Sequence, residues 1–233
     1  MNTLAVLSDL SFTHLSSLAM SNDGSGTIRQ QDMGKIISYL NDGLNQIFGE
    51  FTVKEKVMQI QLFEHITNYH LVSRFATSQQ PQPDVDFPYI LDHNRAPFKG
   101  DVNKVTAVWD NMGRSRVIND ENNLRSVFIM APDLLTVPYP EKDTILFVHY
   151  EAKPQRISMD NLDEEIDLPT SLFPALKAYI AAQVFMGIGS SDSVRISQGY
   201  ENQYVSIIRM LKSSDALTES KFTARPFEER GWV

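Results

Sequence analysis

The chain has 233 residues, no cysteine and a formal net charge of −8, with 42% hydrophobic and 21% charged residues. That length and balance describe an ordinary folded chain of one large domain or two small ones. The charge argues against a general nucleic-acid binder, and the missing cysteines exclude disulfides, thiolate zinc sites and a cysteine nucleophile.

The opening MNTLAVLSDLSFTHLSSLAM lacks the basic start of a signal peptide, and no apolar run approaches the ~20 residues of a membrane span, so folding in a cytoplasm is expected. Leu4, Leu7, Leu10, Leu15 and Leu18 predict a first helix, and SNDGSG at 21–26 a flexible turn. The clearest helix follows: Met33, Ile36, Ile37, Leu40, Leu44, Ile47, Phe48 and Phe51 recur on one face. Gly43 costs that helix roughly 1 kcal/mol relative to alanine.

The period then changes. Met58, Ile60 and Leu62 alternate with glutamines, as in a half-buried strand. Residues 77–98 hold four prolines without a steady period and read as a long surface loop. VNKVTAVWD and SRVIND flank Asn111, Met112 and Gly113 as a plausible hairpin, and SVFIMA, LLTVPYP and TILFVHYEA each read as short strands. Helices return at Pro169. Phe173, Leu176, Ile180 and Val184 form one stripe, Gly187 and Gly189 supply a stop, and Tyr204, Ile207, Ile208 and Leu211 mark a further helix. The order predicts an α+β fold: a discontinuous helical domain over 1–52 and 161–213, an inserted, mostly antiparallel β domain over 53–160, and an extended C-terminal arm over 214–233.

Few residues assemble into chemistry. His65 and His70 are five apart in a strand or turn, which is poor geometry for a shared metal, and His149 reads as an ordinary strand histidine. The acids of 160–167 could hold a cation or serve as acid and base, but carboxylates before a helix start also answer its dipole. GIGSSD at 187–192 follows a helix rather than a strand, which speaks against a phosphate cradle. No nucleophile, base and orienter come together, so no catalytic residue, metal or cofactor is assigned. Two features remain. Ala175, Ala178, Ala181 and Ala182 form a small-residue flank, with Ala178 and Ala182 one turn apart and off the apolar stripe. Phe222, Phe227 and Trp232 punctuate an otherwise polar, aperiodic tail, and either fold back on their own domain or insert into grooves of a partner.

The segments YLNDGLNQIFGEFTVKEKVMQIQL, SVF with LLTVP, LFVHYEA, EIDLPTSLFPALKAYIAAQVF and the closing GWV touch most of the chain in a consistent order. In that pattern the chain resembles the head-to-tail adaptor proteins of short-tailed bacteriophages. The resemblance implies a structural virion protein, not an enzyme, assembled in the host cytoplasm into the neck. It implies a ring, usually of twelve copies, between the portal protein and the tail nozzle, through whose lumen DNA passes without sequence-specific binding or any membrane. It also implies a helical domain towards the portal, a β domain towards the tail and often an arm that embraces the portal, which makes Phe222, Phe227 and Trp232 portal-binding candidates. Ala178 and Ala182 become subunit-interface candidates, since small residues let helices pack closely within or between subunits, and a ring favours the second. The competing readings are a hydrolase using residues 160–167 or the pair His65 and His70, and a β-type module that binds carbohydrate or protein.

Overall fold

The structure, a computed structural model, describes residues 1–16, 18 and 28–214. Two compact units divide the described residues: those of 1–52 with 154–214, and those of 53–153. The fold is α+β, with helices in the first unit and antiparallel sheets in the second.

Among the described residues four α-helices build the first unit: α1 (Thr3–Phe12), α2 (Gln30–Glu50), α3 (Phe173–Met186) and α4 (Ser191–Ser213). Helix α1 starts on Asn2, whose side chain accepts from Ala5 N at 2.9 Å. It stops well short of Leu18. The Thr13 hydroxyl takes the Asp9 carbonyl at 2.6 Å, a local side-chain bond of the kind that competes with helix propagation, although Leu15 is still buried beyond the helix end. Along α2, Ile36, Ile37, Leu40, Leu44, Ile47 and Phe48 are buried, as their spacing requires. Gly43 lies on this buried face too. A Cβ there would come 2.8 Å from both Leu176 and Tyr179, so the glycine is where α2 crosses α3 rather than a tolerated weakness.

Helix α3 is the centre of the unit. Its apolar stripe is buried, and so are Ala175, Ala178, Ala181 and Ala182, with Ala178 0% and Ala182 4% exposed in a single chain. The small face thus packs within the chain's own core, not on an outward surface available to a neighbouring subunit. Helix α4 explains why it must be small. The first half of α4 buries Ser193 and Ser197 instead of large apolar groups, and Ser197 Oγ donates to the Ala182 carbonyl at 2.8 Å. Only a residue without bulk allows a neighbouring helix that near to a backbone oxygen. Gly187 caps α3, Gly189 takes φ +77°, and the Ser190 hydroxyl accepts from Ser193 N to start α4.

The second unit holds eight strands: β1 (Glu55–Gln61), β2 (Asn68–His70), β3 (Ile90–Leu91), β4 (Val102–Asp110), β5 (Ser115–Arg116), β6 (Phe128–Ala131), β7 (Leu134–Thr136) and β8 (Ile145–Ala152). They form a five-stranded sheet in the order β3-β1-β8-β4-β5 and a three-stranded sheet β2-β7-β6, antiparallel throughout. One core joins them, with Met58 and Ile60 of β1, Val105 and Val108 of β4, Leu146 and Val148 of β8, and Tyr69 and Leu135. Residues 77–98 are not simply a surface loop. Tyr89, Ile90 and Phe98 are buried, and β3 lies along β1. The Asp92 carboxylate holds this segment, accepting from Thr77 Oγ1, from Ser78 N and Oγ, and from Phe98 N at 2.5–2.9 Å. The strand expected from SRVIND shrinks to Ser115–Arg116, because Ile118 leaves the large sheet to bridge Val127.

Candidate interaction surfaces

The residues weighed for chemistry are dispersed into structural work. His65 packs edge-on against Phe87 with ring centres 4.8 Å apart, whereas His70 ends β2 and stacks on Phe75 at 6.2 Å. His149 lies on β8 opposite Val57. Among the described residues no three histidine, aspartate or glutamate side chains converge as a metal would need.

The acidic run serves the start of α1. Thr3 N and Leu4 N, two of the donors that a helix leaves unpaired in its first turn, donate to the Glu164 and Leu162 carbonyls at 3.4 and 3.3 Å. Ile166 N donates to the Met1 carbonyl, and Glu165 bridges Asn2. The Glu164 side chain accepts from the side-chain amides of Gln155 and Asn161. Beside this seam is a cavity of about 20 Å³, room for about one water, into whose lining the partnerless Thr3 Oγ1 falls. GIGSSD is the turn between α3 and α4 together with the first two residues of α4.

What the described residues expose instead are several large apolar side chains. In the β unit the register sets Asp110 of β4 opposite Leu146 of β8, and Gln61 of β1 opposite Ile145. The turn after β4 and the segment before β8 therefore share one end of the large sheet, opposite the end where Glu55 meets Glu151. Met112 stands on that turn, 74% exposed, while Tyr139 and Leu124, 65% and 75% exposed, lie on the segments before β8 and after β5. Glu141 lies 3.6 Å from Arg116 and 3.7 Å from Arg125, tying the segments that carry Leu124 and Tyr139. Asp110 fixes the turn below Met112: burial alone would raise its carboxyl, but bonds from Arg114 N, Met112 N and Arg114 Nε hold it below the usual carboxylate range. Exposed apolar groups on a rigid frame suit a protein interface. The Asp110-Asn-Met-Gly string signals its turn in sequence, whereas Asp92 gives no such signal because two of its partners lie fourteen or more residues upstream.

Phe222, Phe227 and Trp232 lie outside the described residues. Ala178 and Ala182 are inside the helical unit and meet no outer surface. No described helix is long and apolar enough to cross a membrane. No curated protein matches the chain significantly. A family model described as SU10 adaptor protein matches residues 9–226, nearly the whole chain, and the chain accordingly belongs to that family of bacteriophage adaptors, structural proteins of the virion that contact other head and tail proteins.

Proposed function

We propose that the chain is a head-to-tail adaptor of a short-tailed phage, forming a ring of twelve copies between the portal and the tail nozzle. The family match over residues 9–226 carries this reading. The helical unit faces the portal and the β unit faces the tail, where Met112, Leu124 and Tyr139 offer an apolar patch for the nozzle. Residues 214–233 form the arm that grips the portal through Phe222, Phe227 and Trp232. A charge of −8 on each copy suits a conduit, because a ring of acidic chains binds phosphates weakly and lets DNA slide during packaging and ejection. The chain is made in the host cytoplasm and joins the neck of the virion.

Native mass spectrometry of purified portal rings incubated with the full-length protein tests the assembly. Twelve added copies per portal ring are expected, and no binding, or a copy number incompatible with the portal symmetry, would overturn the proposal.

A further inference from the structure

The outer edge of β1 is half covered. Gln61 N donates to the Tyr89 carbonyl on the β3 side, so by antiparallel alternation Val57 and Glu55 also turn their N–H and C=O groups to that side. Strand β3 pairs only Gln59 and Ile60. At Asp92 the chain turns away through the bridge between His93 and Ala96, and beyond Gln59 the β1 edge has no strand beside it. Val57 is 52% exposed there. Two other edges carry side-chain partners. The Tyr89 hydroxyl brackets the backbone of His70 on β2, and the Asn119 side chain accepts from Ile129 N on β6.

Beside the open stretch runs a groove of about 490 Å³, lined among others by Lys56, Met58, Arg95, Phe98, Lys99 and Tyr150. Its floor is apolar and its rim is cationic. The two carboxylates in its lining are already engaged: Asp101 accepts from Lys56 Nζ and Tyr150 OH, and Asp92 from Thr77, Ser78 and Phe98. Arg95 and Lys99 have no ion pair among the described residues. Burial lowers the nearby Lys54 ammonium, with the charges of Lys56 and Lys99 adding to the shift and Asp101 opposing it, so three lysines lie close together on this rim in a chain whose net charge is −8.

We propose that the free edge of β1 at Glu55 and Val57 takes an extended, acidic segment of a partner protein as an added strand, its alternate side chains entering the cationic groove between Met58 and Phe98. Backbone pairing supplies the affinity and the rim supplies the preference for acidic side chains. A strand edge whose donor and acceptor pairs recur every second residue matches a peptide backbone, which is why a protein segment is favoured over a nucleic acid. The surface belongs to the isolated chain and does not depend on ring formation.

The test titrates the full-length protein with a short end-capped peptide in which glutamate alternates with valine and threonine, read by backbone amide shifts. Shifts are expected at Glu55, Val57 and Gln59 and over residues 95–99. Val57→Pro removes an N–H that faces outward, so it leaves the thermal midpoint unchanged yet weakens the peptide by about tenfold or more. Lys99→Glu weakens the acidic peptide about fivefold and strengthens the lysine counterpart. Absence of shifts at the β1 edge, undiminished binding by a folded Val57→Pro variant, or tighter occupation of the same residues by a DNA duplex would each overturn the proposal.

Discussion

The Asp92 carboxylate pins residues 77–98 of the β unit through four hydrogen bonds. Burial acts to raise its carboxyl, but the Ser78 hydroxyl, the Phe98 and Ser78 amides and the Thr77 hydroxyl hold it below the ordinary carboxylate range. Asp92→Asn keeps the shape but must turn an NH2 donor towards at least one donor, Phe98 N or Ser78 N. We expect a loss of about 1–3 kcal/mol at neutral pH. The sign of the pH dependence follows from the depressed carboxyl: the stabilisation is full above the ordinary carboxylate value of 3.8 and drains away as pH falls through the lower folded value. Denaturant melts from pH 7 down to pH 3 should therefore show the gap between parent and variant closing at acid pH. A gap constant across that range would show that charge and hydrogen bonding at Asp92 are not the cause.

At the scale of elements, helix α3 explains both what the sequence revealed and what it concealed. Period and composition were enough to find α2, α3, α4 and the strands β1, β4 and β8, from repeating apolar faces in the helices, alternation in β1 and β8, and β-branched composition in β4. They could not show that α3 buries its alanine flank as well as its apolar stripe, since an alanine flank reads alike against solvent, a neighbour or its own bundle. Nor could they show that a proline-rich stretch contributes Tyr89 and Phe98 to a core, which depends on pairing with a strand far back in the chain. The same ambiguity holds for glycine. Gly43 and Gly199 both sit inside helices, but a Cβ at Gly43 meets Leu176 and Tyr179 while one at Gly199 meets nothing within 4 Å. Gly199→Ala should thus gain about 0.5–1 kcal/mol from helix propensity alone. Gly43→Ala should lose that gain to overpacking and end net destabilised, with Ala178→Leu costing the isolated protein about 1–3 kcal/mol for the same reason. Equal stabilisation by both glycine replacements in thermal melts would show that the α2–α3 crossing has slack.

At the scale of the whole molecule, the residues after Ser214 decide between a role in the chain's own core and a role in assembly. The end of α4 is secured without residues 215–233: Ser214 N donates to the Met210 carbonyl, and Lys212 pairs with Glu50 while lying 5.8 Å from the Phe51 ring centre. Truncation after Ser214 keeps that cap and removes Phe222, Phe227 and Trp232. If the three aromatics served the chain's own core, each would contribute roughly 1.5–3 kcal/mol of burial, and truncation would lower the thermal midpoint by several degrees. If they anchor a portal, the midpoint and the circular dichroism stay as they were and portal binding drops sharply, because aromatic anchors carry most of an interface's energy. We expect the second result. Sedimentation over a concentration series should find both forms monomeric without portal, since like-charged acidic chains resist self-association and need a template. A truncated protein that binds portal rings as tightly as the parent would remove the arm from the proposed assembly, and a ring formed by the pure protein would remove the need for the template.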